Sequence, residues 1–155
     1  MPVDLDAAVL VGSVHDLEKL RPLEEIFQTF GIRYWVEVAS AHRTPERVAQ
    51  LVKKAEDEGA GVLVAAAGLA AHLAGAAAAR TLLPVIGLPL VAGSLGGLDA
   101  LLATVQMPKG VPVATVAIDS AANAAYLAVE ILALRRPSLR EKLREERRRW
   151  EGGKG

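Results

Sequence analysis

Five apolar runs recur along this chain, each followed by an amphipathic or alanine-rich stretch, and that alternation most constrains the fold. Residues 7–13 (AAVLVGS), 33–40 (RYWVEVAS), 61–68 (GVLVAAAG), 84–90 (PVIGLPL) and 111–118 (VPVATVAI) read as strands. Between the first two, Leu17, Leu20, Leu23, Ile26, Phe27 and Phe30 fall at helical spacing, which predicts a helix over 16–30 closed by Gly31. Thr44-Pro45 predicts the N-cap and first position of a second helix. Val48, Leu51, Val52 and Ala55 give it an apolar face, and Gly59 ends it. Further helices are expected over 69–82, 98–105 and 120–134, with a loop at 93–97. Arg136-Pro137-Ser138 breaks the chain before a charged helix at 138–150 and a frayed Gly-Gly-Lys-Gly end. Apolar strands joined by helices imply an α/β fold with a five-stranded parallel sheet covered on both faces, plus a C-terminal helix.

Charge refines this picture. Lys plus Arg and Asp plus Glu both number 18, which excludes a uniformly basic nucleic-acid binder. The zero is a cancellation: residues 135–155 carry nine basic and four acidic groups, so the first 134 are net −5. We therefore expect a main domain over 1–134 and a charged helical extension over 135–155. Hydrophobic residues make up 52%, enough for a sizeable core, although alanine supplies much of it and little burial per residue. The absence of cysteine excludes disulfides, thiolate metal sites and a cysteine nucleophile. No apolar run reaches membrane-spanning length, and the acidic start at Met1–Asp6 lacks a signal peptide's basic region, so a cytoplasmic protein is expected.

In parallel sheets ligands bind outside the carboxyl ends of the strands. All three histidines fall at such ends. Gly12-Ser13-Val14-His15-Asp16 suits an anion at a helix N-terminus, or is a plain turn capped by Asp16. Ser40-Ala41-His42-Arg43 crowds a hydroxyl, an imidazole and a guanidinium together: Arg43 can grip a phosphate bidentately and His42 can move a proton near neutral pH. The alternative is a solvated loop that caps a helix. His72 sits among small residues that let a ligand approach backbone, or is a satisfied core histidine. No spacing of the histidines suits a metal. The loop at 106–110 can close over a neighbouring site, and Asn123 can cap its helix or bond across a subunit contact.

The runs SAHRTP at 40–45, AAHLAG at 70–75, VQMPKGVPVATVAI at 105–118 and NAAYLA at 123–128 resemble the N5-carboxyaminoimidazole ribonucleotide mutase family of purine biosynthesis, over about residues 7–134. The resemblance implies a flavodoxin-like three-layer α/β/α sandwich assembled as a homo-octamer. It implies no metal and no organic cofactor, a small aminoimidazole ribonucleotide as ligand, and neither nucleic acid nor membrane as partner. The reaction moves a carboxylate from the exocyclic nitrogen to carbon 4. His42 would be the general acid and base, and Ser40 and Arg43 would hold the phosphate. Ser13 and Asp16 would contact the ribose-phosphate part, while Gly68, His72 and Leu73 shape the pocket. The chain departs from the family pattern at four places. His15 stands where a serine is usual, Leu69 where a glycine is, and Ala74 where a proline is; segment 118–123 is short. His15 can supply a phosphate contact as a cation.

Three readings compete beside the mutase. A sister class carboxylates with free carbon dioxide and shares the short segment, but it normally carries Lys after SAH and lacks the second histidine. A scaffold that binds nucleotide phosphate without catalysis is another, and nucleic-acid binding through the basic tail a third. In the tail, Glu141–Arg144, Glu145–Arg148 and Glu145–Arg149 can pair along a solvated helix, or the helix can lie on a neighbouring subunit's acidic body.

Overall fold

The computed structural model describes residues 4–153; Met1–Val3 and the last two residues of the Gly-Gly-Lys-Gly end lie outside the described residues. Five strands, β1 (Ala7–Val11), β2 (Tyr34–Val38), β3 (Val62–Gly68), β4 (Val85–Leu90) and β5 (Ala114–Thr115), form one parallel sheet in the order β2-β1-β3-β4-β5. Helices α1 (Arg21–Phe30), α2 (Pro45–Asp57), α3 (Leu73–Ala78), α4 (Leu98–Val105), α5 (Ala121–Ala133) and α6 (Pro137–Glu151) complete the chain. This is the flavodoxin-like order, whose direction reverses between β1 and β3.

The strands are apolar throughout because both faces are covered. Alternate β1 residues Ala7, Val9 and Val11 pack with Leu23 and Phe27 of α1 and with the alanines of α5. Ala8 and Leu10 point the other way, towards Val48 and Val52 of α2 and Leu73 and Ala77 of α3. The result is a three-layer sandwich. Phe27 and Leu10 are fully buried, and each such side chain contributes about 1.5–3 kcal/mol. Alanines let α5 lie close on the sheet, where Ala124, Ala125 and Ala128 are also fully buried.

Several expected boundaries shift, for identifiable reasons. The helix expected over 16–30 is a 3₁₀ segment at Val14–Leu20 followed by α1. Pro22 lacks an N–H and its ring would clash with a carbonyl in a continuous helix, so the break falls just before it. Gly31 closes α1 at φ 70°, as the sequence implied. The helix expected over 69–82 is only Leu73–Ala78, because Leu69 takes a left-handed φ of 56°. The strand expected over 111–118 pairs only at Ala114–Thr115. Val116 still donates to the carbonyl of Gly87 at 3.1 Å, but in this parallel register the next ladder donor would be residue 89, a proline, which has no N–H.

Helix α6 lies on its own chain. Leu139 is buried, the Trp150 ring meets the Tyr126 edge-on at 5.5 Å, and the Tyr126 hydroxyl donates to Glu146 at 2.9 Å. Burial, and then Glu146, pushes the Tyr126 phenol up to about 12. Glu141 pairs with Arg144 as expected, but Arg149 pairs with Glu146 instead of Glu145, and Arg147 reaches Glu130 of α5 at 2.8 Å. Arg136 joins Arg33 around the buried Asp6 at the start of the sheet. Among the described residues, no helix is long and apolar enough to cross a membrane.

Candidate active site

Beyond the carboxyl ends of β1, β2 and β3 lies a cleft of about 550 Å³. It sits at the point where the strand order reverses. The turn after β1 contributes Ser13, His15 and Asp16 to its lining, and the loop after β2 contributes Ser40, His42 and Arg43. The end of β3 and the entry to α3 contribute Gly68, His72 and Leu73. Every side chain singled out from the sequence for the site therefore meets in one place.

The first turn is capped differently from the expectation. Ser13, not Asp16, is the N-cap: its Oγ accepts the N–H of His15 at 3.2 Å, while the N–H of Asp16 donates to the Ser13 carbonyl at 3.1 Å. Those two amides are taken, so neither is available to a ligand. Asp16 sits within the first turn, largely covered, with its carboxylate 4.0 Å from the Lys19 ammonium.

The loop after β2 is tied by its own hydroxyls. Thr44 forms no side-chain cap on α2; its Oγ1 instead accepts from the Ser40 N–H at 2.9 Å and donates to the Ser40 carbonyl at 3.2 Å. Ser40 Oγ accepts the N–H of Arg43 at 3.1 Å. Ser13 and Ser40 thus both use a lone pair on backbone and keep the O–H proton free to donate to a ligand. Arg47, one turn on, is held by Glu37 at 2.7 Å, whereas Arg43 has no carboxylate within 4.0 Å among the described residues. Its fork is free for an anionic ligand.

The loops after β2 and β3 bring two imidazoles together. Nε2 of His42 lies 2.8 Å from Nδ1 of His72, and His72 is exposed, so it is not a core histidine. Beside it, Gly68 is held against Ala92: a Cβ on Gly68 would fall 2.5 Å from the Ala92 Cβ and 3.2 Å from the Leu90 carbonyl oxygen. Leu69 takes up the left-handed conformation that the usual glycine there adopts freely, at a cost of about 1–3 kcal/mol. Ala74 occupies the first turn of α3, where proline is also tolerated, so that departure leaves the helix entry intact.

One capping expectation is corrected. Asn123 does not cap α5; Ser120 does, accepting the Asn123 N–H at 3.4 Å. The 106–110 loop is not part of this cleft's lining, and its Met107 lies over Gly75 of α3. Sequence reasoning missed Ala92 on the cleft wall and Lys19 behind it; the strand-end rule pointed to the segment that begins at Asp119, but not to its contact with Lys19. Lys19 stands three residues after Asp16, a spacing that could have flagged it.

A sequence model of the family described as AIR carboxylase matches residues 6–152, a span that runs on into α6. The N5-carboxyaminoimidazole ribonucleotide mutase of Pyrococcus horikoshii is 52% identical over 136 residues, covering 88% of this chain and 77% of that protein. The mutase of the same name from Escherichia coli K12 is 44% identical over 143 residues, 91% of this chain and 85% of its own length. Among solved structures, Treponema denticola PurE superposes with a TM-score of 0.86 at 26% identity, covering 95% of this chain and 92% of that one. By family match, sequence identity and fold together, this chain belongs to the AIR carboxylase family.

Proposed function

We propose that the protein is an N5-carboxyaminoimidazole ribonucleotide mutase, an isomerase of purine biosynthesis. It interconverts the carbamate on the exocyclic nitrogen with the 4-carboxylate of the same ribonucleotide. The observation that carries this reading is the 2.8 Å contact between His42 and His72, in a cleft that also holds Arg43 and two hydroxyls free to donate.

In this reading Arg43 and Ser40 hold the phosphate, with Ser13 and the His15 side chain at its rim, and Asp16 takes the ribose side. Phosphate binding remote from the reacting carbon orients the imidazole and lends binding energy to the chemical step. His42 protonates the exocyclic nitrogen; the N–C bond of the carbamate breaks and carbon dioxide leaves with no net charge. Gly68, His72 and Leu73 enclose the space in which it is retained. Carbon 4 then forms its bond to carbon dioxide, and His42 removes the proton left on that carbon. Each step is a proton transfer or the making or breaking of one bond to carbon dioxide, so the scheme needs no metal and no organic cofactor.

The histidine pair supports a residue that acts in both directions. One proton lies between His42 Nε2 and His72 Nδ1. When His72 holds it, neutral His42 carries its own proton on Nδ1 and can donate. When His42 Nε2 holds it, His72 keeps a proton on its own Nε2 and is neutral, and His42 Nδ1 presents a lone pair and can accept. The test is purified protein with either ribonucleotide and no ATP. Interconversion is expected, and a preparation that leaves both compounds untouched overturns the assignment.

The short segment over 118–123 favours a second reading, direct carboxylation of the unmodified aminoimidazole ribonucleotide. Turnover of that compound with bicarbonate, without preference for the carbamate, would select it. Arg43 and His72 favour the mutase.

A homo-octamer in the cytoplasm completes the proposal. Leu95, in the loop before α4, and Leu98, Leu102 and Val105 on α4 expose apolar side chains, 42–63% accessible, and α4 precedes the two-residue edge strand. A phosphorylated substrate does not cross membranes unaided, which places its enzyme with the rest of nucleotide synthesis. Light scattering that gives the mass of a monomer would refute the assembly.

A further inference from the structure

We propose that Lys19 is a positioning residue of this cleft, holding the Ala92 wall and the Asp16 carboxylate in register for the substrate. The inference rests on the function proposed above for what the cleft binds, but its geometry stands independently. Lys19 Nζ donates to the carbonyl oxygen of Val91, which follows β4. The same ammonium lies 3.8 Å from Asp119 Oδ1 and 4.0 Å from Asp16 Oδ1. Asp119 Oδ1 in turn accepts the N–H of Val91 at 2.9 Å. Both polar groups of Val91 are therefore fixed, its carbonyl by Lys19 and its N–H by Asp119, and the next residue is Ala92.

Asp119 is held for this task. Its φ is 58°, left-handed, and its own N–H donates to the Pro89 carbonyl at 2.8 Å. It lies in the short segment between β5 and α5. One cation thus joins three stretches of chain, after β1, β4 and β5. The Ala92 position matters because its Cβ lies 2.5 Å from where a Cβ on Gly68 would stand, so a small shift changes the width of the cleft there.

Charge supports the same role. An anionic substrate must enter a cleft whose wall carries Asp16, whose side chain is only 13% accessible. Lys19 offsets that carboxylate from behind, away from the ligand, and Arg43 is left free for the phosphate.

The test compares K19M and K19R by substrate kinetics and by hydrogen exchange of the intact protein. For K19M, KM is expected to rise about tenfold, the scale of one charge-assisted hydrogen bond, with kcat within about threefold. K19R should restore most of the binding. The peptide over 88–95 should exchange faster in both K19M and D119N, with peptides from β1 and β3 unchanged. An unaltered KM alongside normal wild-type turnover overturns the inference, as does a K19M protein whose exchange rises throughout. If wild-type protein fails to interconvert the ribonucleotides, the proposed function fails. The exchange of 88–95 then decides on Lys19 alone, and an unaltered rate there overturns it.

Discussion

Nε2 of His42 and Nδ1 of His72 share a 2.8 Å contact across 30 residues of sequence, from the end of β2 to the entry of α3. The rings are tilted by 56° with centroids 4.8 Å apart, so the contact is a hydrogen bond between nitrogens and not a face-to-face stack. One ring donates and the other accepts in this contact, so the two tautomers are linked, which is the basis of the proton handling proposed above.

His42→Asn should keep the fold, since the side chain is exposed at the mouth of the cleft, and should lower kcat by about 10²–10⁴-fold, the range for losing a general acid and base. His72→Asn leaves His42 in place without its partner, so a smaller loss in kcat is expected. Steady-state kinetics on both variants check the order. Near-normal turnover in the His42 variant would refute its role.

Arg43→Lys tests the phosphate contact. Lysine keeps the charge but loses the planar fork, so the change is not conservative at a bidentate site. Hydrogen bonds to charged groups contribute about 1.5–3 kcal/mol, which predicts kcat/KM lower by about 10–150-fold. The exposed position of Arg43 means the melting temperature should barely move, and a fall in both would point to a structural role instead.

Gly68→Ala tests the pocket floor. The added Cβ would fall 2.5 Å from the Ala92 Cβ, which has no flexible end to swing away, so backbone must shift. Overpacking of this kind costs about 1–3 kcal/mol of stability. A crystal structure of the variant should show Ala92 displaced outward and substrate affinity reduced. An undisturbed Ala92 would remove the argument for close approach at this glycine.

The fold and much of the site were legible in the sequence because both depend on local signals. Apolar runs of strand length marked all five strands, and the rule for strand ends directed attention to the segments that hold Ser13, His42 and His72. What stayed hidden depends on contacts between distant segments. The Pro89 that truncates β5 acts on a strand more than twenty residues away, and nothing near 111–118 announces it. Lys19 reads as an ordinary surface lysine until Val91 and Asp119 are brought beside it. The basic tail also meets its own chain, Arg136 at Asp6 and Arg147 at Glu130, pairs that only the folded arrangement creates.

Asp6 is where the basic tail and the acidic body meet, and it predicts how the protein responds to acid. Its side chain is 3% accessible. Arg33 donates its backbone N–H to Oδ2 at 2.8 Å and its guanidinium to both carboxylate oxygens, and Arg136 donates to Oδ1. Burial alone would raise the Asp6 carboxyl; the hydrogen bonds from Arg136 and Arg33 outweigh it and hold the group below its ordinary value of 3.8. The folded chain then binds this proton less tightly than the unfolded chain. The stabilisation is present above the unfolded value and is lost as pH falls through the lower folded one. Asp6→Asn should cost about 2–3 kcal/mol at neutral pH, below the usual range for a broken buried pair because both arginines are partly exposed. Urea unfolding of both proteins from pH 7 to pH 3, at one protein concentration, checks this. The gap between them should hold near neutrality and narrow below about pH 4, as the linkage requires. A gap that stays constant to pH 3 would mean that the Asp6 charge is not what ties α6 to the sheet.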